Sequence, residues 1–224
     1  MGTRRPTSNA RQWRHRENGF SLLEMVTVIA LILIMGSMTF MSLIPALKQQ
    51  RITNAYNTTM AAMRLARDCS VSQRTSYSVT FSNSVSPNTI AVAPTLTFNG
   101  TPCGATYQLP TDVTFLAQSG LPNTAATTPD NYYSSALVPI DFGYTANGST
   151  GGSSINYFCP DGSAQDAENG AGNCLGSWSG GVVYIARSGE ILSSRAVTLW
   201  GGTGRIHGWR LYPNGGGGYQ WLRQ

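Results

Sequence analysis

Apolar residues fill one long stretch of the chain, Phe20 to Ile44, in which Glu24 is the only ionisable residue. A helix built from this stretch is apolar on every face, and about 20 residues at 1.5 Å rise match the hydrocarbon core of a bilayer. A transmembrane helix is therefore predicted. Beyond it, Ile52, Tyr56, Met60 and Met63 recur at steps of three and four, while Arg51, Arg64, Arg67 and Asp68 fall elsewhere. That stripe predicts an amphipathic continuation to about Gln73, packed under a globular body. Pro45 removes one backbone hydrogen bond between the two halves, so a kink or local melting is expected there.

After Gln73 the pattern changes to short apolar or alternating runs separated by turn residues. Strands are predicted at Tyr77 to Phe81, Thr89 to Ala93, Thr95 to Phe98, Val113 to Leu116, Ile140 to Phe142, Ser154 to Phe158, Gly181 to Ala186, Arg205 to Leu211 and Tyr219 to Leu222. Ser188-Gly189, between Gly181–Ala186 and Glu190-Ile191-Leu192, predicts a tight hairpin. Gln118 to Ser135 and Gly143 to Ser153 are rich in Thr, Asn, Gly and Pro and are expected to be long loops. The fold class is α+β: a long N-terminal helix against a β-rich head.

Charge changes the picture at one end only. Of a formal net charge of +5, the first nineteen residues supply +4, from Arg4, Arg5, Arg11, Arg14 and Arg16 against Glu17. The basic balance is a property of this leader and not a nucleic-acid signature of the head. Arginines on the N-terminal side of the apolar helix hold that end in the cytoplasm and send the bulk of the chain outward. A secretory signal peptide needs a small-residue cleavage site after its apolar run, whereas bulky Met38-Thr39-Phe40-Met41 follows here, and Pro45-Ala46-Leu47 runs into Lys48 and a helical pattern. The apolar segment is expected to be retained.

The segment Arg16-Glu17-Asn18-Gly19 followed by Phe20-Ser21-Leu22-Leu23-Glu24-Met25-Val26 resembles the processing site of type IV prepilins. The resemblance implies cleavage by a prepilin peptidase after Gly19, methylation of the new amine of Phe20, and assembly through Glu24. The chemistry suits each position. Gly19 lets a protease approach the scissile backbone closely. A carboxylate in an apolar helix costs on the order of 2.5–3.5 kcal/mol on insertion scales and needs a partner; the amine of Phe20 on a neighbouring subunit would supply one in a low-dielectric setting. The chain then divides into a leader (1–19), a transmembrane and assembly helix (20–44), an amphipathic helix (45–73) and a β-rich head (74–224).

Among pilin-like proteins the layout is similar to the GspH/FimT family of minor pilins and type II secretion pseudopilins, through Pro139-Ile-Asp-Phe-Gly-Tyr-Thr-Ala-Asn-Gly148 and Gly181-Val-Val-Tyr-Ile-Ala-Arg-Ser-Gly-Glu-Ile191. The resemblance implies a subunit anchored in the inner membrane by a single pass, head in the periplasm, with other pilin or pseudopilin subunits and the prepilin peptidase as partners.

Four cysteines, Cys69, Cys103, Cys159 and Cys174, fit an oxidising compartment. Three pairings are possible. Cys159 with Cys174 would close a loop of Gly, Asn and Asp, and Cys69 with Cys103 would tie the helix end to the first sheet. Asp161, Asp166 and Glu168 lie in the first of these loops and offer oxygen ligands for Ca²⁺, without the spacing of an EF-hand; no cofactor is otherwise expected. Arg205, His207 and Arg210, interleaved with aromatic residues, are candidate DNA contacts, with Gly204-Arg205-Ile206-His207 the nearest match to a Gly-Arg-x-Arg motif of DNA-capturing FimT-like proteins. The competing reading places the aromatic residues in a hairpin core and the arginines in solvent. Enzymatic signatures are missing: no Gly-x-Ser-x-Gly elbow, phosphate loop or His-Glu-x-x-His occurs. An anchored extracytoplasmic binding module that never joins a filament is the alternative outside the pilin class.

Overall fold

A computed structural model describes residues 19–96, 100–133, 137–144, 153–166, 174 and 177–224, with the side chains of 38–42 excepted. Helix α1 spans Leu22–Gln73. Its backbone stays helical through Pro45, so the expected local melting does not occur; a proline removes one N–H, and the bonds on either side carry the helix past it. The chain divides into two units at Pro45/Ala46.

In the first unit every described residue of 19–37 is exposed. No helix among the described residues is long and apolar enough to cross a membrane.

The second unit contains the later half of α1 and two antiparallel sheets. The first sheet has the order β3-β2-β1-β6-β7, built from β1 (Tyr77–Ser82), β2 (Thr89–Pro94), β3 (Ala105–Gln108), β6 (Ile155–Phe158) and β7 (Ala164–Gln165). The second has the order β11-β10-β9-β8-β4, with β5 also paired to β8; its strands are β4 (Thr114–Phe115), β5 (Ile140–Tyr144), β8 (Gly180–Arg187), β9 (Glu190–Trp200), β10 (Arg205–Pro213) and β11 (Tyr219–Arg223).

The stripe on α1 lies where the periodicity places it. Ile52, Tyr56 and Met63 are buried and Met60 is partly so, joined by Ala55, Ala62, Ala66 and Cys69 on the same face. The alanines bring the helix axis close to the strands. At Gly208 in β10 the approach is closest, since a Cβ there would run into the hydroxyl of Tyr56. Both sheets contribute to this core: Phe81 of β1 stacks on Phe142 of β5 at 5.4 Å and meets Phe115 of β4 edge-on at 5.5 Å. Each large side chain buried here contributes on the order of 1.5–3 kcal/mol.

The second sheet is buried on its other face as well. Leu121 and Tyr132, from the connection between β4 and β5, cover Tyr144, Val182, Tyr184, Ala196, Leu211 and Trp221. Two-sided burial explains the nearly unbroken apolar run of β8, which single-sided sheets lack. That connection, expected as a loop, carries a short 3-10 turn at Pro129–Asn131 with Asp130 and Asn131 at positive φ. The hairpin at Ser188-Gly189 forms, with Gly189 at φ 76° and Arg187 facing Glu190.

Several strand expectations need correction. Thr95 and Leu96 form a bend instead of a strand, because β2 ends at Pro94; residues 97 and 98 lie outside the described residues. Gly143 and Tyr144 extend β5 rather than opening a loop, while 145–152 lie outside the described residues. Strands β3 and β7 were not anticipated, and β9 runs well past Leu192 to Trp200.

Candidate processing and assembly site

Gly19, Phe20 and Ser21 precede the helix, and Ser21 begins it: its Oγ accepts from the Leu23 N–H at 3.2 Å and its carbonyl accepts from the Met25 N–H at 3.1 Å. This is N-capping by serine, which occupies donors that would otherwise lack partners. Glu24 therefore stands in the first turn, where the helix dipole favours a negative charge. Its side chain is exposed, as are Phe20 at 76% and Leu22 at 82%.

Two features of this segment need an explanation from outside the chain. A Cβ added to Gly19 would meet nothing within 4 Å, so the fold places no demand for glycine there. Phe20, Leu22, Leu23, Met25, Val26, Val28, Ile29 and Leu31 to Met35 are all exposed, an apolar surface far larger than a folded chain leaves to water unless another body covers it.

The cysteines pair Cys69 with Cys103 and Cys159 with Cys174, at Cα separations of 6.0 and 5.9 Å. The first ties the end of α1 to the segment before β3. Ser70 adds a second tie, its Oγ donating to the Cys159 carbonyl at 3.0 Å. Asp161 is engaged locally: it accepts from the Ser163 N–H at 2.8 Å and the Ser163 hydroxyl at 2.7 Å, which holds its carboxyl below the usual range. Glu168 lies outside the described residues, and among those residues no group of three His, Cys, Asp or Glu side chains is placed to hold a metal.

The residues proposed for DNA are not gathered on one surface. Along β10, Ile206 and Gly208 face α1, so Arg210 does too, whereas Arg205 and His207 share the opposite face with Trp209. Arg210 stacks its guanidinium over the Tyr212 ring at 5.1 Å. His207 is turned into the protein, its Nδ1 2.9 Å from Asp130 Oδ2. Asp130 also accepts from the Thr198 hydroxyl, which in turn accepts from Trp209 Nε1 at 3.0 Å. This network pins the 3-10 turn to the sheet. Arg205 alone of the three is exposed; as the first residue of β10 it stands at the sheet's end, where it lines a depression of about 260 Å³ with Gly204, Ile206 and, from α1, Arg64, Arg67 and Asp68. The sequence reading missed Asp130 because nothing local marks a loop aspartate as the partner of a strand histidine 77 positions later.

Arg195, opposite Arg210 on β9, is buried. Its Nη1 donates to the carbonyls of Leu192, Ser193 and Ser194, and burial together with the Arg210 charge pushes its pKa down to about 10.

Neither the curated proteins nor the solved structures contain a match to this chain. Residues 14–40 match the prokaryotic N-terminal methylation motif. The matched segment contains Gly19, Phe20 and Glu24, and it supports assignment of the chain to the pilin and pseudopilin class as a type IV pilin-like substrate of prepilin peptidase.

Proposed function

We propose that the chain is a minor pilin or pseudopilin subunit. Prepilin peptidase cuts between Gly19 and Phe20, the Phe20 amine is methylated, and residues 20–44 hold the subunit in the inner membrane as a single pass with its head in the periplasm. The subunit then joins a type IV pilus or a type II secretion filament, with the GspH/FimT minor subunits as its nearest kind. Its work is association, not turnover.

One observation carries this reading: the methylation motif sits at the start of a helix whose first part is apolar all round and exposed at every described position from 19 to 37. A membrane covers such a surface before assembly and neighbouring subunits cover it afterwards. Glu24 then pairs with the amine of a neighbouring Phe20, which sets subunit register. The glycine at position 19, free of any demand from the fold, answers to the peptidase.

The test is the chemical N-terminus of the protein recovered from its native membrane. Mass spectrometry of the wild type should find N-methyl-Phe20, and a Gly19→Leu variant should accumulate uncut and be missing from filaments. A wild-type chain that keeps residues 1–19 sinks the proposal. Deletion strains then separate the two machines: lost pili with secretion intact indicates a pilus, and the reverse a secretion filament.

A second reading, a head that also contacts DNA, is favoured by the Arg64, Arg67 and Arg205 grouping rather than by His207 or Arg210. Neutralising that trio should abolish a gel shift seen at low salt, where phosphate contacts are strongest, and Arg210→Ala should leave the shift in place.

A further inference from the structure

Where β8 begins and β9 ends, the outer face of the second sheet opens into a cavity of about 490 Å³, within the range of small-molecule sites. Four aromatic rings bound it: Trp178, Trp200, Tyr132 and Tyr144. Trp178 and Trp200 are 62% and 50% exposed, which is unusual for the largest apolar side chain. Tyr132 stands between two of the other rings, 5.0 Å from Tyr144 and 6.4 Å from Trp200 between centroids, so these three form a continuous bent wall.

The floor is kept low by glycine. A Cβ on Gly180 would collide with the Tyr132 hydroxyl, and Gly202 lies under the Trp178 ring, where a Cβ would come into van der Waals contact at 3.4 Å. Both tyrosine hydroxyls are committed inward, Tyr132 donating to the Leu199 carbonyl at 2.7 Å and Tyr144 to Asp141 Oδ2 at 2.7 Å. Burial raises the Tyr132 pKa, so the phenol stays a neutral donor. The rings therefore show the cavity their faces, while the exposed Thr203 brings a hydroxyl to its lining.

This chemistry selects a ligand class. None of the described lining residues is charged, so among them a phosphate, a carboxylate or an ammonium finds no counter-charge. Arg205 is the cross-strand neighbour of Trp200 yet lies outside the lining. A nucleotide would stack on the rings but brings a phosphate with each base, which single-strand sites meet with a positive groove. A neutral pyranose has what the cavity asks for, an apolar C–H face for the rings and hydroxyls at its edge for the Thr203 hydroxyl. We propose that this cavity binds a neutral glycan, with sugar rings seated against Trp178 and Trp200. The inference stands independently of the processing and assembly reading.

The experiment uses the full chain in a sugar-free detergent, because alkyl maltosides would compete. Tryptophan fluorescence is titrated with chito-, cello-, malto- and galacto-oligosaccharides of four rings, and each titration is repeated on Trp178→Ala and Trp200→Ala. At least one glycan should give a saturable change, with Kd raised tenfold or more in each variant and restored towards wild type by Trp178→Phe. Both tryptophans are half or more exposed, so the melting temperature should not move and a lost signal cannot be put down to unfolding. Failure of all four glycans to bind, binding that ignores both substitutions, or displacement by a dT oligonucleotide would each overturn the proposal.

Discussion

The two halves of α1 obey different rules. Residues 51–70 alternate buried and exposed positions at helical spacing: Ile52, Ala55, Tyr56, Thr59, Ala62, Met63, Ala66 and Cys69 are buried, and Arg51, Arg64 and Asp68 are exposed. Residues 22–37 have no such stripe; leucines, isoleucines and methionines point outward on every side. The first pattern is what a helix needs when one face has a partner in its own chain. The second is what it needs when every face is covered by something else, lipid or other helices. One continuous helix thus carries an intramolecular code followed in space by its own head and an intermolecular code that its own chain leaves unread.

The comparison breaks most visibly if it is attacked from the buried half. Met63 is fully buried in the core between helix and sheets. Met63→Ala should cost about 2–5 kcal/mol by removing packed volume that the surroundings refill only in part. For a chain of this size that lowers the melting temperature by on the order of 10 °C, measured by circular dichroism of the full chain in detergent. Met35→Ala, at a position 70% exposed, should leave the same transition where it was. Equal losses at both positions would mean that the two halves are not distinct.

The disulfide at the end of the buried half gives the next effect. Cys69 and Cys103 are separated by 34 residues, so joining them withdraws about 3–4 kcal/mol of loop-closure freedom from the unfolded chain. Cys69→Ala with Cys103→Ala should lower the head's stability by that order and leave N-terminal processing unchanged. A processing defect in the double variant would tie the two halves together more closely than the comparison allows.

Much of this contrast was legible in the sequence, since it rests on periodicity. The stripe at Ile52, Tyr56, Met60 and Met63, the strands flanking Ser188-Gly189 and the terminal β10–β11 hairpin follow from local pattern and turn chemistry. What escaped depends on distant partners. Ser193-Ser194-Arg195 looks like a solvent segment, yet β9 buries it, because the guanidinium of Arg195 is satisfied by the carbonyls of its own strand. Ala105–Gln108 is an edge strand with one neighbour, β2, and alternates too weakly to announce itself. The His207–Asp130 contact and the aromatic cavity are assembled by a loop folding over a sheet, which no local pattern encodes. Trp178 and Trp200 did leave a trace: each stands beside paired glycines or close to them, at Gly180-Gly181 and Gly201-Gly202.

Within the exposed half, a charge should damage assembly without touching the fold. Leu31 is 59% exposed in the apolar run. Leu31→Asp adds a second carboxylate near the middle of that run, with an insertion cost on the order of 2.5–3.5 kcal/mol. That corresponds to a drop of about a hundredfold in membrane-inserted, assembly-ready subunit, read by quantitative immunoblot of sheared filaments and membranes. The melting temperature of the head should be unaltered. Filaments at wild-type level would show that this surface meets neither lipid nor subunits.

The smallest effect tests the far end of the buried half through pH. Asp161 accepts from both the backbone and the side chain of Ser163, and the turn it holds presents the Gly162 carbonyl to Arg67 Nε of α1 at 3.2 Å. These hydrogen bonds favour the ionised carboxyl and lower its pKa from 3.8. A group whose pKa is depressed by folding stabilises the native state above its unfolded value, and that contribution fades as the pH falls through the folded value. Asp161 therefore adds stability at neutral pH and loses it in acid. Because the carboxyl is largely solvated, the effect is a change in slope and not a collapse. Melting temperatures measured from about pH 5 down to about pH 2 should fall less steeply for Asp161→Asn than for the wild type, the two curves converging at the acid end. Parallel curves would remove Asp161 from the contact that fastens the helix to the head, and would leave Ser70 and the Cys69–Cys103 bridge to hold that end.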